Sequence, residues 1–296
     1  MVTSPSKQLG TSCVANMSSV AFQGERGAFG DEAAQAYFRQ EGQQEASFQP
    51  HHSFADVFHA VSAGEVDYGI VPLENSQAGS INDVYDLLVQ HDIYVIGEIL
   101  YPVNHYLLCL PGQQLGAIQQ VISHPQALAQ CDVFLRELGV KTVATYNTAG
   151  SAKTIRDGQL QGVAAIASVA AAQLYGLEVL AESIQTIKEN YTRFIALSRK
   201  PTLRLPGPTK TMLALAIMHQ PGALSRCLGA LAARQINLLK LSSRPARQRS
   251  WEYIFFLDIE GHRDDPAMCR ALADLAGYTT TCKVLGSFTQ TAMEQS

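Results

Sequence analysis

Short apolar runs alternate along this chain with longer stretches whose apolar positions recur at helical spacing. Val20-Ala21-Phe22 begins the first run, and helices are predicted over 31–40 and 53–63, the second opened by Ser53 with Asp56 as a capping box. A strand is predicted over 68–73. Ser80 and Asp83 predict a second cap, for a helix ending near Gln90, and Ile93-Tyr94-Val95-Ile96 reads as a buried strand. The theme then repeats, with strands near 105–110 and 121–122, a helix over 125–138 and a strand over 142–146. A helix from Thr148, a strand over 163–166 and an Ala-rich helix over 169–175, closed by Gly176, complete it. Strand and helix alternate throughout, so the class is α/β, in two lobes.

Prolines at 201, 206 and 208 and Gly207 interrupt regular structure after Lys200. Beyond them strands are predicted over 212–218, 237–242, 253–259 and 281–285, with helices over 222–234 and 266–276. That βαββαβ order is the ferredoxin-like arrangement. The expected organisation is a leader over 1–19 and a two-lobed unit over 20–200, with 20–100 and 190–200 in one lobe and 101–189 in the other. A linker over 201–209 and a final domain over 210–288 follow.

Composition narrows the function classes. The 296 residues are 47% hydrophobic, enough to bury more than one core, and the formal net charge of −4 supplies no basic field for nucleic acid. No apolar run is long enough to span a membrane, so neither nucleic acid nor membrane is an expected partner. The six cysteines show no C-x-x-C pair, and His51, His52 and His59 lack the carboxylate spacing of a metal motif, so no metal is expected. Buried thiols in a reducing compartment fit this usage. The Ser-rich, acid-free leader contains Lys7 and no Arg, which suits a frayed terminus better than a targeting segment.

Five segments carry candidate chemistry. In Asn190-Tyr191-Thr192-Arg193-Phe194 a hydroxyl and a fixed cation stand at the mouth of an apolar run. The Thr suits a hydrogen bond to a departing oxygen, and the Arg suits a carboxylate. Adjacent strand residues face opposite sides, so either a turn precedes the strand or Arg193 supports the loop from behind. Gly24-Glu25-Arg26-Gly27-Ala28-Phe29-Gly30 lacks the G-x-G of a dinucleotide loop but points backbone amides at whatever anion lies before the next helix. Pro72-Leu73-Glu74-Asn75-Ser76 ends a strand, where α/β proteins gather ligands; Asn75 and Ser76 are plausible donors and Glu74 suits loop ordering. Asn147-Thr148-Ala149-Gly150-Ser151 repeats that geometry with a capped helix start. Ser123-His124-Pro125-Gln126 opens another helix, and His124 reads as an ordinary start signal rather than a base.

Taken in order, with Ser242-Ser243-Arg244-Pro245, these segments resemble the prephenate dehydratase family, from about Val20 to about Phe288, and equally its sister group, the arogenate dehydratases. The resemblance implies a catalytic domain folded like the type 2 periplasmic binding proteins, substrate between its lobes, and a C-terminal ACT regulatory domain. It implies Thr192 as the catalytic residue, with Arg193, Phe194, Asn75, Ser76, Thr148, Ala149, Ala28 and Phe29 around prephenate or arogenate. It implies an L-phenylalanine effector at Gly222, Ala223, Leu224, Asn237, Leu238, Ser242, Ser243, Arg244 and Pro245. The expected reaction is loss of carbon dioxide and water from prephenate to give phenylpyruvate, with no cofactor, in a homodimer or homotetramer. The expected location is the cytoplasm, or an organelle stroma if the leader is a targeting remnant. The chain departs from the family at Ala28 and Gly30, where Ser or Thr is common, and at Ser242, where Glu is usual. A non-catalytic amino-acid sensor is the competing reading that those departures suggest.

Overall fold

The computed structural model describes residues 17–43, 45–204, 206–218, 220–245 and 253–290. Most of the expected leader, Cys13 and Leu205 of the expected linker lie outside the described residues.

The first lobe opens with β1 (Ser19–Gln23), α1 (Phe29–Gln40), β2 (Ser47–His51), α2 (Phe54–Ala63) and β3 (Tyr68–Asn75). It continues through β4 (Gly79–Ser80), α3 (Asn82–Gln90) and β5 (Tyr94–Pro102). The chain then crosses into the second lobe, which holds β6 (Tyr106–Cys109), β7 (Gln120–Ser123), α4 (Pro125–Gln130), α5 (Asp132–Leu138) and β8 (Lys141–Ala144). Next come α6 (Thr148–Gly158), β9 (Val163–Ala167), α7 (Val169–Tyr175) and β10 (Glu178–Ala181), before β11 (Tyr191–Ser198) returns to the first lobe. One sheet has the order β2-β1-β3-β11-β5, with β4 beside β3; the other has the order β10-β6-β9-β7-β8. The two crossings are tied together, because Val103 N donates to Asn190 O at 2.8 Å and Ile184 N to His105 O at 2.9 Å.

Local chemistry explains most element ends. Ser53 and Asp56 form the reciprocal capping box on α2, and Gly64 closes that helix in the left-handed conformation. The cap expected from Ser80 does not form; α3 has Ile81 at its N-cap, and Ser80 is instead paired across to Glu74 in β4. The helix expected over 125–138 breaks at Cys131, whose φ of −104° and ψ of 15° divide it into α4 and α5. β2 escaped the apolar pattern because it is a half-polar edge strand carrying Pro50.

The last domain runs β12 (Thr209–Ile217), α8 (Ala223–Ala232), β13 (Leu238–Pro245), β14 (Tyr253–Glu260), α9 (Pro266–Ala276) and β15 (Thr279–Thr289), in the sheet order β13-β14-β12-β15. Alternation along its strands divides two faces. Leu213, Leu215, Leu257 and Ile259 pack on α8 and α9. Met212, Ala214, Phe256, Leu285 and Phe288 pack instead with Val95, Ile195, Leu197, Tyr85 and Leu88 of the first lobe. This sheet therefore lies against the back of β11 and β5. At Gly286 the approach is so close that a Cβ would overlap the Val95 carbonyl.

Candidate active site

A cavity of about 570 Å³ lies between the lobes. From the first lobe come Ala28, Phe29, Asn75, Thr192 and Phe194; from the second come His124, Gln126, Gln130, Tyr146, Asn147 and Thr148; Val103 and His105 come from the crossing. Among the described residues its lining holds no Lys, Arg, Asp or Glu. Any charge brought into it meets dipoles rather than ions.

Asn75 and Thr192 share this face because of a register fault. Arg193 pairs with Glu74 but Phe194 pairs with Pro72, leaving Leu73 as an extra residue in β3. Such a bulge re-aims the side chains beyond it. Ile70 and Pro72 face the cavity before it and Asn75 after it, while Leu73 is buried in the core behind.

The polar centre is fully ordered. Asn75 Nδ2 donates to Thr192 Oγ1 at 2.9 Å and to Asn190 Oδ1 at 2.8 Å. Its Oδ1 accepts from Gln77 N at 3.0 Å and Ala78 N at 2.9 Å, which fixes the amide orientation. Since Thr192 Oγ1 accepts from Asn75, its own proton is free to point at a ligand and is the stronger donor for it. Gln130 joins the network, its Oε1 lying 2.7 Å from His105 Nε2 and accepting from Asn190 Nδ2 at 3.2 Å. His105 therefore carries its proton on Nε2. Burial pushes its pKa below the usual histidine range, with the Gln130 contact only partly opposing this, so the ring is neutral and Nδ1 is a buried acceptor without a partner among the described residues.

Three helix starts point at the same space. Asn147 caps α6 by accepting from Gly150 N, and its Nδ2 is buried without a partner among the described residues. Ala28 precedes α1 with no side-chain cap, leaving the first amides of that helix without side-chain acceptors. His124 Nδ1 accepts from Gln126 N at 3.2 Å at the start of α4, and burial lowers the pKa of this ring as well. The cleft mouth is latched: the Tyr146 ring stacks on His52 at 4.6 Å, and Gln23 Nε2 donates to the Tyr146 hydroxyl at 3.2 Å. The loop before α1 is bound to the second lobe by Ser168 Oγ donating to Gly27 O and Tyr175 OH to Arg26 O, both at 2.8 Å.

Comparison with known proteins decides the lineage. Residues 20–202 match the model of the prephenate dehydratase family, and residues 214–277 match that of the ACT domain. The chain belongs to the prephenate dehydratase family. It is 38% identical over 281 residues to the arogenate dehydratase/prephenate dehydratase 2, chloroplastic, of Arabidopsis thaliana, covering 91% of this chain and 72% of that protein. The prephenate dehydratase of Arthrobacter aurescens, solved with L-Phe, superposes with a TM-score of 0.81 at 31% identity, over 92% of this chain and 90% of that one. The structure of GqqA, described as a novel type of quorum quenching acylases, superposes with a TM-score of 0.82 at 34% identity, over 92% of this chain and 98% of that one.

Within this dehydratase fold the expected site residues divide. Thr192, Asn75, Phe194, Ala28, Phe29 and Thr148 line the cavity. Ala149 is buried in the core behind α6, and Ser76 Oγ accepts from Tyr191 N at 3.0 Å, bracing the loop from outside. Arg193, expected to hold substrate, is corrected: strand alternation turns it to the back face, where Nε donates to Glu98 Oε2 and Nη1 to Asp258 Oδ2, both at 2.7 Å. Burial opposes that charge, but Asp258 and Glu98 outweigh it and raise the guanidinium pKa further. Gln130, His105 and Tyr146 were absent from the expectations. Gln130 ends α4 at the Cys131 break, and no local spacing announces that its amide reaches Asn190.

The expected effector residues also divide. Gly222 begins α8 without a side-chain cap. It lies at the same end of the sheet as Ser243, Arg244 and Pro245, which pair with Phe255, Ile254 and Tyr253. Leu238 pairs with Ile259 and Asn237 bonds Glu260 at the opposite end. Arg244 and Ser242 turn toward the first lobe, Arg244 reaching the Asn82 carbonyl and Asp86.

Proposed function

We propose that the chain is a prephenate dehydratase, and one observation carries the reading: the Thr192 hydroxyl, oriented by the Asn75 amide inside a cleft whose lining, among the described residues, holds no Lys, Arg, Asp or Glu. Prephenate carries two carboxylates and a ring hydroxyl. Loss of carbon dioxide leaves its electron pair to form the aromatic ring, and the ring hydroxyl departs, taking up one proton to become water. The free amides at the starts of α1 and α6, with Asn147 Nδ2, suit the carboxylates. Phe29 and Phe194 cover the ring, and the Thr192 proton faces the departing oxygen. No step calls for a cofactor, because aromatisation supplies the driving force.

Among the described residues the cavity lining holds no carboxylate to pair with the ammonium of arogenate, which favours prephenate; the arogenate dehydratase relatives keep the second substrate in the test. The acylase activity described for GqqA needs an activated nucleophile, and among the described residues no histidine or carboxylate bonds Thr192 Oγ1. Turnover of prephenate and arogenate, measured side by side, is expected to favour prephenate. Preference for arogenate would transfer the same site to that substrate, and turnover of neither would leave an amino-acid sensor.

The same proposal includes L-phenylalanine as effector at Gly222–Leu224 and Ser242–Pro245, with its carboxylate competing against Asp86 for Arg244. Calorimetry is expected to show binding, and absence of heat would remove the sensing role. β13 is an edge strand, and Leu239, Leu241 and Tyr253 beside it are exposed. Antiparallel pairing of two copies along β13 would cover them and bring the partner's Asn237 and Leu238 toward Ser243 and Pro245, in a homodimer or a tetramer of such dimers. The free thiols of Cys109, Cys131 and Cys227 are buried, which suits a reducing compartment such as cytoplasm or stroma.

A further inference from the structure

The two polar residues at the centre of the cleft sit beside two charged residues that point the other way. Thr192 pairs with Asn75, and the next pair in the ladder is Arg193 with Glu74. The first pair faces the cavity; the second faces the ACT sheet. Lys240 on β13 pairs with Glu74, and its ammonium also donates to the Tyr85 hydroxyl at 3.0 Å. Burial works against the Lys240 charge, but Tyr85 and Glu74 outweigh it and hold the ammonium protonated. Asp258 on β14 holds Arg193, and Lys210 on β12 lies 2.6 Å from Glu98 and 3.7 Å from Asp258. Three strands of the ACT sheet thus contribute to ion pairs on the reverse of the two peptide segments that present Asn75 and Thr192.

We propose that Lys240 and Arg193 are positioning residues, through which the ACT sheet holds Asn75 and Thr192 at their 2.9 Å contact. The pairs act where the ladder between β3 and β11 is faulted, beside the bonds already made there: Glu74 and Asn75 pair with Ser80 and Gly79 of β4, and Ser76 N donates to Tyr191 O at 2.8 Å. β3 carries its extra residue at Leu73, immediately before Glu74, so the ladder that elsewhere fixes a strand is interrupted there. A charge pair one residue beyond the interruption adds to the hydrogen bonds of Asn75 by holding the rotation of the segment that carries it. Because Lys240 belongs to β13, the strand that also carries Ser242 and Arg244, any displacement of β13 changes the hold on Glu74. The proposal rests on the catalytic assignment of Thr192 and adds to it the side chains that keep its partner in place.

Lys240→Met is the decisive variant. The pair it removes is partly solvated, and Met fills the stem volume, so the fold is expected to survive. The expected result is a fall in kcat of roughly tenfold with KM within about twofold, since misplacement weakens the transition state more than the ground state. Lys240→Arg is expected to restore most of the loss. Hydrogen exchange at the amides of Asn75, Ser76 and Thr192 should accelerate in Lys240→Met, with the helix-facing core of the ACT domain unchanged. A lower melting temperature with unchanged kcat and unchanged exchange would make the pair a mere structural contact and overturn the proposal. If the wild type turns over neither prephenate nor arogenate, the catalytic assignment fails, and the exchange measurement alone decides the coupling: unchanged protection overturns it.

Discussion

Replacing Thr192 with alanine leaves the fold intact and lowers kcat about 10²–10⁴-fold, the usual worth of a positioned group acting on a proton in the transition state. The structural reason is specific. Among the described residues Thr192 Oγ1 takes its one hydrogen bond from the Asn75 amide and no side chain accepts its proton, which remains for the substrate. Thr192→Ser keeps the hydroxyl and should retain part of the rate, while losing the methyl that restricts its rotation. Steady-state kinetics with circular dichroism of each variant checks this. Rates near wild type in Thr192→Ala would remove the residue from the chemistry, whichever of the two substrates is used.

Arg193→Met has the second large effect, on stability. The guanidinium lies between Glu98 and Asp258 in a nearly solvent-free junction, with side-chain exposures of 11%, 5% and 6% respectively. Removing one partner of a buried ion pair costs about 3–5 kcal/mol, because the charges left behind have lost solvent without keeping their counter-ion. Urea unfolding should show the loss. Arg193→Lys should fall between, since one ammonium cannot bond both carboxylates in the way a planar fork does. A Met variant as stable as wild type would show that the junction is held by its apolar surroundings, Met212 and Ile195 among them, and that the charges are incidental.

The fold class was legible in the alternation of elements because each lobe's core-forming strands are short apolar runs separated by capped helices. The Ser53–Asp56 box and Gly176 marked their ends within one residue. What failed locally failed for tertiary reasons. Ser80 has the sequence of a cap but is drawn into pairing with Glu74, and the helix over 125–138 breaks at Cys131, which is fully buried. At the site, strand alternation already implied that Thr192 and Arg193 face opposite ways. Choosing which faced the substrate required the ACT sheet, whose Asp258 claims Arg193. Gln130 and His105 were invisible because their role lies in side chains converging from separate elements. Glu74 already read as ordering the loop and Asn75 as a donor, but the bulge at Leu73, which sets their faces, was not visible in the sequence.

That bulge also governs how this chain tolerates change in length. A strand has only two sides, so every side chain past a given point is assigned by whether the count of residues before it is odd or even. Leu73 is the odd residue, and the bulge that absorbs it keeps Glu74 opposite Arg193 and Asn75 opposite Thr192. Loss of Leu73 would leave a regular ladder in which Pro72, Glu74 and Asn75 still oppose Phe194, Arg193 and Thr192, whereas one further residue after Leu73, if not bulged out, would send the amide to the regulatory sheet and the carboxylate of Glu74 into the cleft. In descendants of this sequence the ladder therefore distinguishes loss of Leu73, which keeps every pair, from an insertion between Leu73 and Asn75, which does not, a difference that no substitution tolerance at those positions would reveal.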